Sequence, residues 1–185
     1  MKKIAACIVI GVLTLSTYAV ANADEQVQKP WTLQTGASWP GQNTAKNNVE
    51  GKTVWNVGVD YAFLQAKTLS SSEPTIVSVY FDYAGGSKDK YGYSNHAYTS
   101  GGGIAARQYL DPTAATSPYI GAGIGGYDTQ SKYLGSSKSR FNIGGKVFAG
   151  LEFTKSYFLQ VGYEWLPSVN HVDPSNLGVD VGLRF

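Results

Sequence analysis

The chain closes on Ser175 to Phe185, SNLGVDVGLRF, and this ending narrows what it can fold into. Leu177, Val179, Val181, Leu183 and Phe185 are apolar at every second position, with Gly178, Asp180, Gly182 and Arg184 between them. Successive side chains of a strand project to opposite faces, so this is a strand with one greasy face and one polar face. At roughly ten residues, and tilted, such a strand is long enough to cross a bilayer.

The same period of two recurs along the chain and predicts eight strands, at 30–39, 53–64, 75–84, 98–110, 118–127, 140–153, 157–166 and 176–185. In the second, Trp55, Val57, Val59, Tyr61 and Phe63 alternate with Asn56, Gly58, Asp60 and Ala62. The third sets Val77, Val79, Phe81 and Tyr83 against Ser78, Tyr80 and Asp82, and the seventh sets Leu159, Val161, Tyr163 and Trp165 against Gln160, Gly162 and Glu164. Strands one and four alternate more loosely, the fourth because Gly101-Gly102-Gly103 has no side chains to pack.

The opposite end of the chain reads as an export signal. Met1-Lys2-Lys3 is a short basic start, Ile4 to Leu15 an apolar run, and Ala21-Asn22-Ala23 a small-residue cleavage site, which predicts a signal peptide over 1–23 and a barrel domain over 24–185. Removing those 23 residues from 185 leaves 162, enough for one domain, and takes away the single cysteine. It also removes Lys2 and Lys3, so 13 basic residues face 13 acidic ones, and the net positive charge suited to nucleic acid is missing. Beyond the signal no stretch approaches the roughly 18 apolar residues of a membrane helix, so any crossing must use strands.

With both termini on one side, the connections 40–52, 85–97, 128–139 and 167–175 lie at one end of the barrel, expected outside the cell. The connections 65–74, 111–117 and 154–156 lie at the other. The first set is longer on average, as in outer-membrane barrels. A soluble sandwich or lipocalin-like barrel shares the alternation but would bury its apolar face. Here the polar face combines glycines with Asp60, Asp82, Arg107, Lys146, Glu152, Glu164, Asp180 and Arg184, which suits a narrow polar lumen. Pairing Phe153 with Tyr157 across the Thr154-Lys155-Ser156 turn sets Lys146 opposite Glu164. That pair is expected in a network with Asp180 and Arg184 that plugs the lumen. Trp31, Trp39, Trp55, Trp165, Tyr61, Tyr83, Tyr157 and Tyr163 fall toward strand ends, as interfacial belts do.

Three segments carry a family resemblance: Pro118-Tyr119-Ile120-Gly121-Ala122-Gly123-Ile124-Gly125, Gly145-Lys146-Val147-Phe148-Ala149-Gly150-Leu151-Glu152-Phe153, and the closing Gly178 to Phe185. With the strand plan, they make the chain similar to the small outer-membrane barrels, the family of the OmpA transmembrane domain, OmpX, and the Ail/Lom and opacity-type proteins. The resemblance implies an all-β, eight-stranded antiparallel up-and-down transmembrane β-barrel in the bacterial outer membrane. It further implies that Val179, Val181, Leu183 and Phe185 form the terminal signal read by the barrel-assembly machinery. Members serve as adhesins, immune-evasion factors and envelope scaffolds, and occasionally as lipid A enzymes, and fold alone does not choose among these.

An enzyme reading finds little chemistry. The lipid A deacylases that look similar in strand plan have a His-x-Ser in a late strand, and here Trp165 and Pro167 occupy those places. Ser168, His171 and Asp173 can be drawn as a trio, but Ser, Asn, His and Asp are ordinary turn composition. Two histidines and no retained cysteine predict no transition-metal site, no spacing suits calcium, and the Gly121-x-Gly123-x-Gly125 glycines sit in a strand, so no cofactor is expected. The external connections instead carry Lys46, Lys52, Lys88, Lys90, Lys132, Lys138 and Arg140 against Glu50, Asp89 and Asp128. That basic rim points to phosphate on neighbouring lipopolysaccharide or to a host polyanion. Tyr91, Tyr93 and Tyr98 among Gly, Ser and Asn give the second connection an adhesive composition. A non-enzymatic envelope or surface-interaction barrel is the leading expectation, with a lipid A deacylase or a periplasmic lipocalin-like binder as alternatives.

Overall fold

The computed structural model describes residue 27 and residues 29–40, 53–67, 74–90, 93–111, 115–133, 136–167 and 174–185. Eight strands run in sequence order: β1 (Trp31–Pro40), β2 (Val54–Lys67), β3 (Pro74–Lys90), β4 (Tyr93–Tyr109), β5 (Thr116–Tyr133), β6 (Ser136–Phe153), β7 (Tyr157–Trp165) and β8 (Asn176–Arg184). Each pairs antiparallel with its sequence neighbours, and β1 pairs with β8 to close the barrel. At the seam Trp31 donates its N–H to the Phe185 carbonyl at 3.0 Å, and Phe185 donates back to Trp31 at 2.9 Å.

The alternation resolves into an apolar outside and a mixed inside. Leu33, Val57, Val59, Phe81, Leu159, Val161 and Val181 are exposed, and Gln34, Ser78, Arg107, Glu152, Gln160, Asp180 and Arg184 are buried. That reverses a lipocalin, whose barrel buries its apolar residues. Two aromatic tiers ring the surface. Trp31 meets Tyr61 at 4.8 Å between ring centroids near the end that carries Phe185, and Tyr83 stacks on Tyr98 at 6.1 Å near the other.

Five strands exceed their predicted lengths, β2 by running on to Lys67 and β3 to β6 by more. β3, β4, β5 and β6 were expected over 75–84, 98–110, 118–127 and 140–153, yet the β3–β4 ladder continues to Lys90–Tyr93 and the β5–β6 ladder to Tyr133–Ser136. The connections expected at 85–97 and 128–139 are therefore mostly strand. Their Ser, Gly, Asp and Lys content reads as turn because no face there needs to be apolar. Ladder hydrogen bonds are backbone-made and tolerate polar side chains on both faces in water. Lys88, Lys90, Lys132, Lys138 and Arg140 thus sit on strands, while Lys46, Lys52, Ser168, His171 and Asp173 lie outside the described residues.

Glycine serves close approach inside. A Cβ on Gly101 would overlap the Tyr127 ring, and one on Gly182 would overlap Phe158, which is why a glycine-rich β4 still forms a strand. At the β6–β7 turn, Thr154 and Lys155 have φ of 52° and 57°, and Ser156 donates its N–H to the Phe153 carbonyl at 3.2 Å. Positive φ at both central positions matches the twist of paired strands but strains a β-branched threonine.

Two outcomes follow. Val161→Arg places a charge on the mid-height outer face, and refolding into phospholipid vesicles in urea should show a loss of about 2–4 kcal/mol; an unchanged midpoint would mean that face meets water. Thr154→Asn relieves the turn and should gain about 0.5–1 kcal/mol in the same titration.

Candidate lumen site

The inward faces of the strands supply two tiers of polar chemistry separated by rings. In the tier farther from Phe185, Lys146 of β6 reaches across the lumen to Asp82 of β3, Nζ to Oδ2 2.7 Å, with these side chains 12% and 21% exposed. The Gln34 amide donates to the other Asp82 oxygen at 3.3 Å, and the Lys146 ammonium lies 3.5 Å from the centre of the Tyr80 ring. A desolvated ammonium over an aromatic face gains cation–π attraction as well as its ion pair. The Tyr80 and Tyr127 hydroxyls meet at 2.7 Å.

The register does set Lys146 opposite Glu164 and Phe153 opposite Tyr157. Contact is decided otherwise. Glu164 accepts from the Asn176 amide at 3.0 Å, and Lys146 turns to Asp82 on the far wall. Lysine has four rotatable bonds beyond its backbone, and in so narrow a lumen an opposite wall is as near as the adjacent strand. Of the network expected with that pair, Asp180 shares the cavity of Lys146 and Glu164, whereas Arg184 pairs with Glu152. Asp180 lines the same small cavity as Lys146 and Glu164, with its Oδ1 lacking a hydrogen-bond partner, as does the Oδ1 of Asp60.

Arg184 belongs to the second tier, nearer the chain end. There it forms an ion pair with Glu152, which also accepts the Tyr109 hydroxyl. Its guanidinium stands 4.4 Å from the Phe158 ring and 5.1 Å from Tyr119, and Arg107 lies 5.6 Å from both Tyr109 and Tyr119. Tyr119 donates to the Gln160 side chain at 3.2 Å. Ala62, Ile76, Tyr109, Tyr119 and Phe158 pack together in this tier, with Val27 and Phe148 against them.

Of the inward rings Tyr80, Tyr109, Tyr119, Tyr127, Phe148 and Phe158, the sequence set only Tyr80 on the polar face, and none was named with the lumen charges. Tyr80 stands two residues from Asp82, and Phe148 two from Lys146, so strand parity puts both inside.

The cavity beside Lys146, Asp82 and Glu164 is about 60 Å³. That is room for a few waters. A wider recess of about 410 Å³ opens at the other end, lined by Lys29, Arg107, Lys155 and Arg184 among others. Among the described residues no group of His, Cys, Asp and Glu is arranged to hold a metal ion. On the outer extension of β6, Lys138 and Arg140 are exposed, and Arg140 pairs with the buried Thr129. Both therefore belong to the sheet face continuous with the lumen wall.

Removing one partner of the cross-lumen pair tests its role. Lys146→Met leaves the Asp82 carboxylate without its cation and should cost about 3 kcal/mol in vesicle refolding. Adding Asp82→Leu in the same chain should restore part of that loss, a coupling a double-mutant cycle reads directly.

The comparisons with known proteins agree with this geometry. The family model described as outer membrane protein beta-barrel domain matches residues 6–185. Among solved structures, Neisserial surface protein A is 15% identical over 88% of this chain and 100% of its own, with a TM-score of 0.60. The attachment invasion locus protein Ail of Yersinia pestis is 16% identical, covering 86% of this chain and 100% of its own at 0.49. The N-terminal barrel of Pseudomonas aeruginosa OprF is 14% identical, covering 85% and 100% at 0.47. At 15% identity the likeness to Neisserial surface protein A is one of fold. A comparison with curated proteins finds no match. With the family model spanning nearly the whole sequence, the chain belongs to the outer-membrane β-barrel domain family.

Proposed function

We propose that the protein is a non-enzymatic surface barrel of the outer membrane, its lumen a structural plug and its extended strands an interaction surface for phosphate-bearing polyanions. The observation that carries this reading is the division of the barrel. A ring-filled lumen with a cavity of about 60 Å³ at one level sits beneath four strands that outrun their neighbours. A nucleophile beside a base is missing from the described lumen, where Lys146 is bound to Asp82 and Glu152 to Tyr109 and Arg184.

The basic residues Lys138 and Arg140 supply the chemistry of that surface, with Lys88, Lys90 and Lys132 on the same extended ladders. Guanidinium and ammonium groups bind phosphate oxygens strongly when the ligand brings them together. Lipopolysaccharide phosphate is the nearest such ligand in an outer membrane. Lys138 and Arg140 face the mouth, which favours as a second reading a soluble or host polyanion arriving from outside. Residues 1–23 serve as a cleaved export signal, and Val179, Val181, Leu183 and Phe185 present the apolar face that the assembly machinery reads.

A binding assay separates the two ligands. The K138Q/R140Q variant should retain several-fold less lipopolysaccharide after detergent extraction if the neighbours are bound, or lose affinity for an added soluble polyanion if the mouth is the site. Unchanged values in both arms would remove the rim from the function. Purified protein should show no single-channel conductance in a planar bilayer, and overexpression should leave the acyl mass of lipid A unaltered; loss of one acyl chain would restore the enzyme reading.

A further inference from the structure

The recess at the Phe185 end carries a charge pattern unlike the rest of the lumen. Its wall, around about 410 Å³, includes Lys29, Arg107, Lys155 and Arg184 against the single carboxylate of Glu152. Glu152 is already engaged by the Tyr109 hydroxyl and the Arg184 guanidinium. Arg107 is 7% exposed with no hydrogen-bond partner for its Nε, and Arg184 is 4% exposed with none for its Nε or Nη2. Both guanidinium groups stand against the same Tyr119 ring, at 5.6 and 5.1 Å from its centre. Like charges held so near each other out of water call for a counter-charge.

We propose that this recess is an oxyanion site, taking a small phosphate- or carboxylate-bearing group between Arg107 and Arg184 with Lys29 and Lys155 at its rim. The guanidinium fork matches two oxygens of such a group and has donors to spare here. The recess has room for a multi-atom anion and not only for a single water. Two sources could supply the oxygens. One is a dissolved anion. The other is the chain itself, since Asp24 and Glu25 stand just upstream of Val27, which lines the recess. Lys29 is tied to the β6–β7 turn by hydrogen bonds of 3.0 Å to the Lys155 carbonyl and 2.5 Å to the Ser156 hydroxyl, which holds Lys29 itself beside the opening. On the orientation proposed above the site faces the periplasm, but binding by the isolated protein does not depend on that orientation.

Isothermal titration of inorganic phosphate, and separately of citrate, into the folded chain extracted in phosphate-free non-ionic detergent tests the proposal. The native protein is compared with R107Q, with D24N/E25Q and with the three changes combined, and the boiling-dependent gel shift confirms that each is folded. Saturable binding by the native protein, weakened at least tenfold in R107Q, identifies a dissolved anion as the ligand. Binding seen only in D24N/E25Q, and lost again with R107Q, assigns the same site to the chain's own carboxylates. No saturable binding in either background, or binding indifferent to Arg107, overturns the proposal. If R107Q gives no gel shift, K155Q on the exposed rim takes its place in the same comparison.

Discussion

The closure of β8 onto β1 supports everything else in this molecule. Trp31 and Phe185 exchange backbone hydrogen bonds, and the pairing continues without a break from Thr32–Arg184 to Pro40–Asn176. A backbone group left unpaired in hydrocarbon costs several kcal/mol, so a sheet can enter a bilayer only when it is closed. The seam is made by the first and last strands of the chain, which puts the whole sequence under one geometric condition. The terminal phenylalanine serves that condition twice, through its backbone at the seam and through its ring on the exposed face.

Closure at eight strands also fixes how much room is left inside. Such a lumen is filled by side chains, and the filling here is largely rings, with Gly101, Gly121, Gly150 and Gly182 where a ring crowds the backbone. The charges are divided unequally along the axis. Lys146 stands among Asp82, Glu164 and Asp180 in one tier, whereas Arg107 and Arg184 line the other with Glu152 as its single carboxylate. Buried ion pairs rarely add much stability over apolar packing, but losing one partner is severe. The inward charges thus hold the strands in a specific arrangement more than they strengthen it.

Beyond the aromatic tiers the same ladders serve a different purpose. From Gly86–Ala97 up to Lys90–Tyr93, and from Gln130–Ser139 up to Tyr133–Ser136, the antiparallel ladders continue unbroken. There the backbone pairing persists while the apolar requirement lapses. β3 to β6 thus run longer than the other four strands of the barrel.

Most of the barrel was legible in the sequence because its signal is local. Period two in β2, β7 and β8 reports which side chains share a face, and the short turn after Phe153 sets a register that follows from two neighbouring strands. Three features were not local. The far halves of β3 to β6 carry no apolar alternation and read as loops. The partner of Lys146 depended on which wall lies within reach once the sheet had curled, so adjacency in register pointed to Glu164 while the closed lumen selected Asp82. The oppositely charged tiers, and the recess that gathers Lys29, Arg107, Lys155 and Arg184, draw on residues far apart in sequence. The sequence by itself determined which residues face lipid and which face inward, because that choice is made two residues at a time along each strand. Only the closed tertiary structure decided which inward groups meet, because the curvature and tilt of all eight strands set those distances.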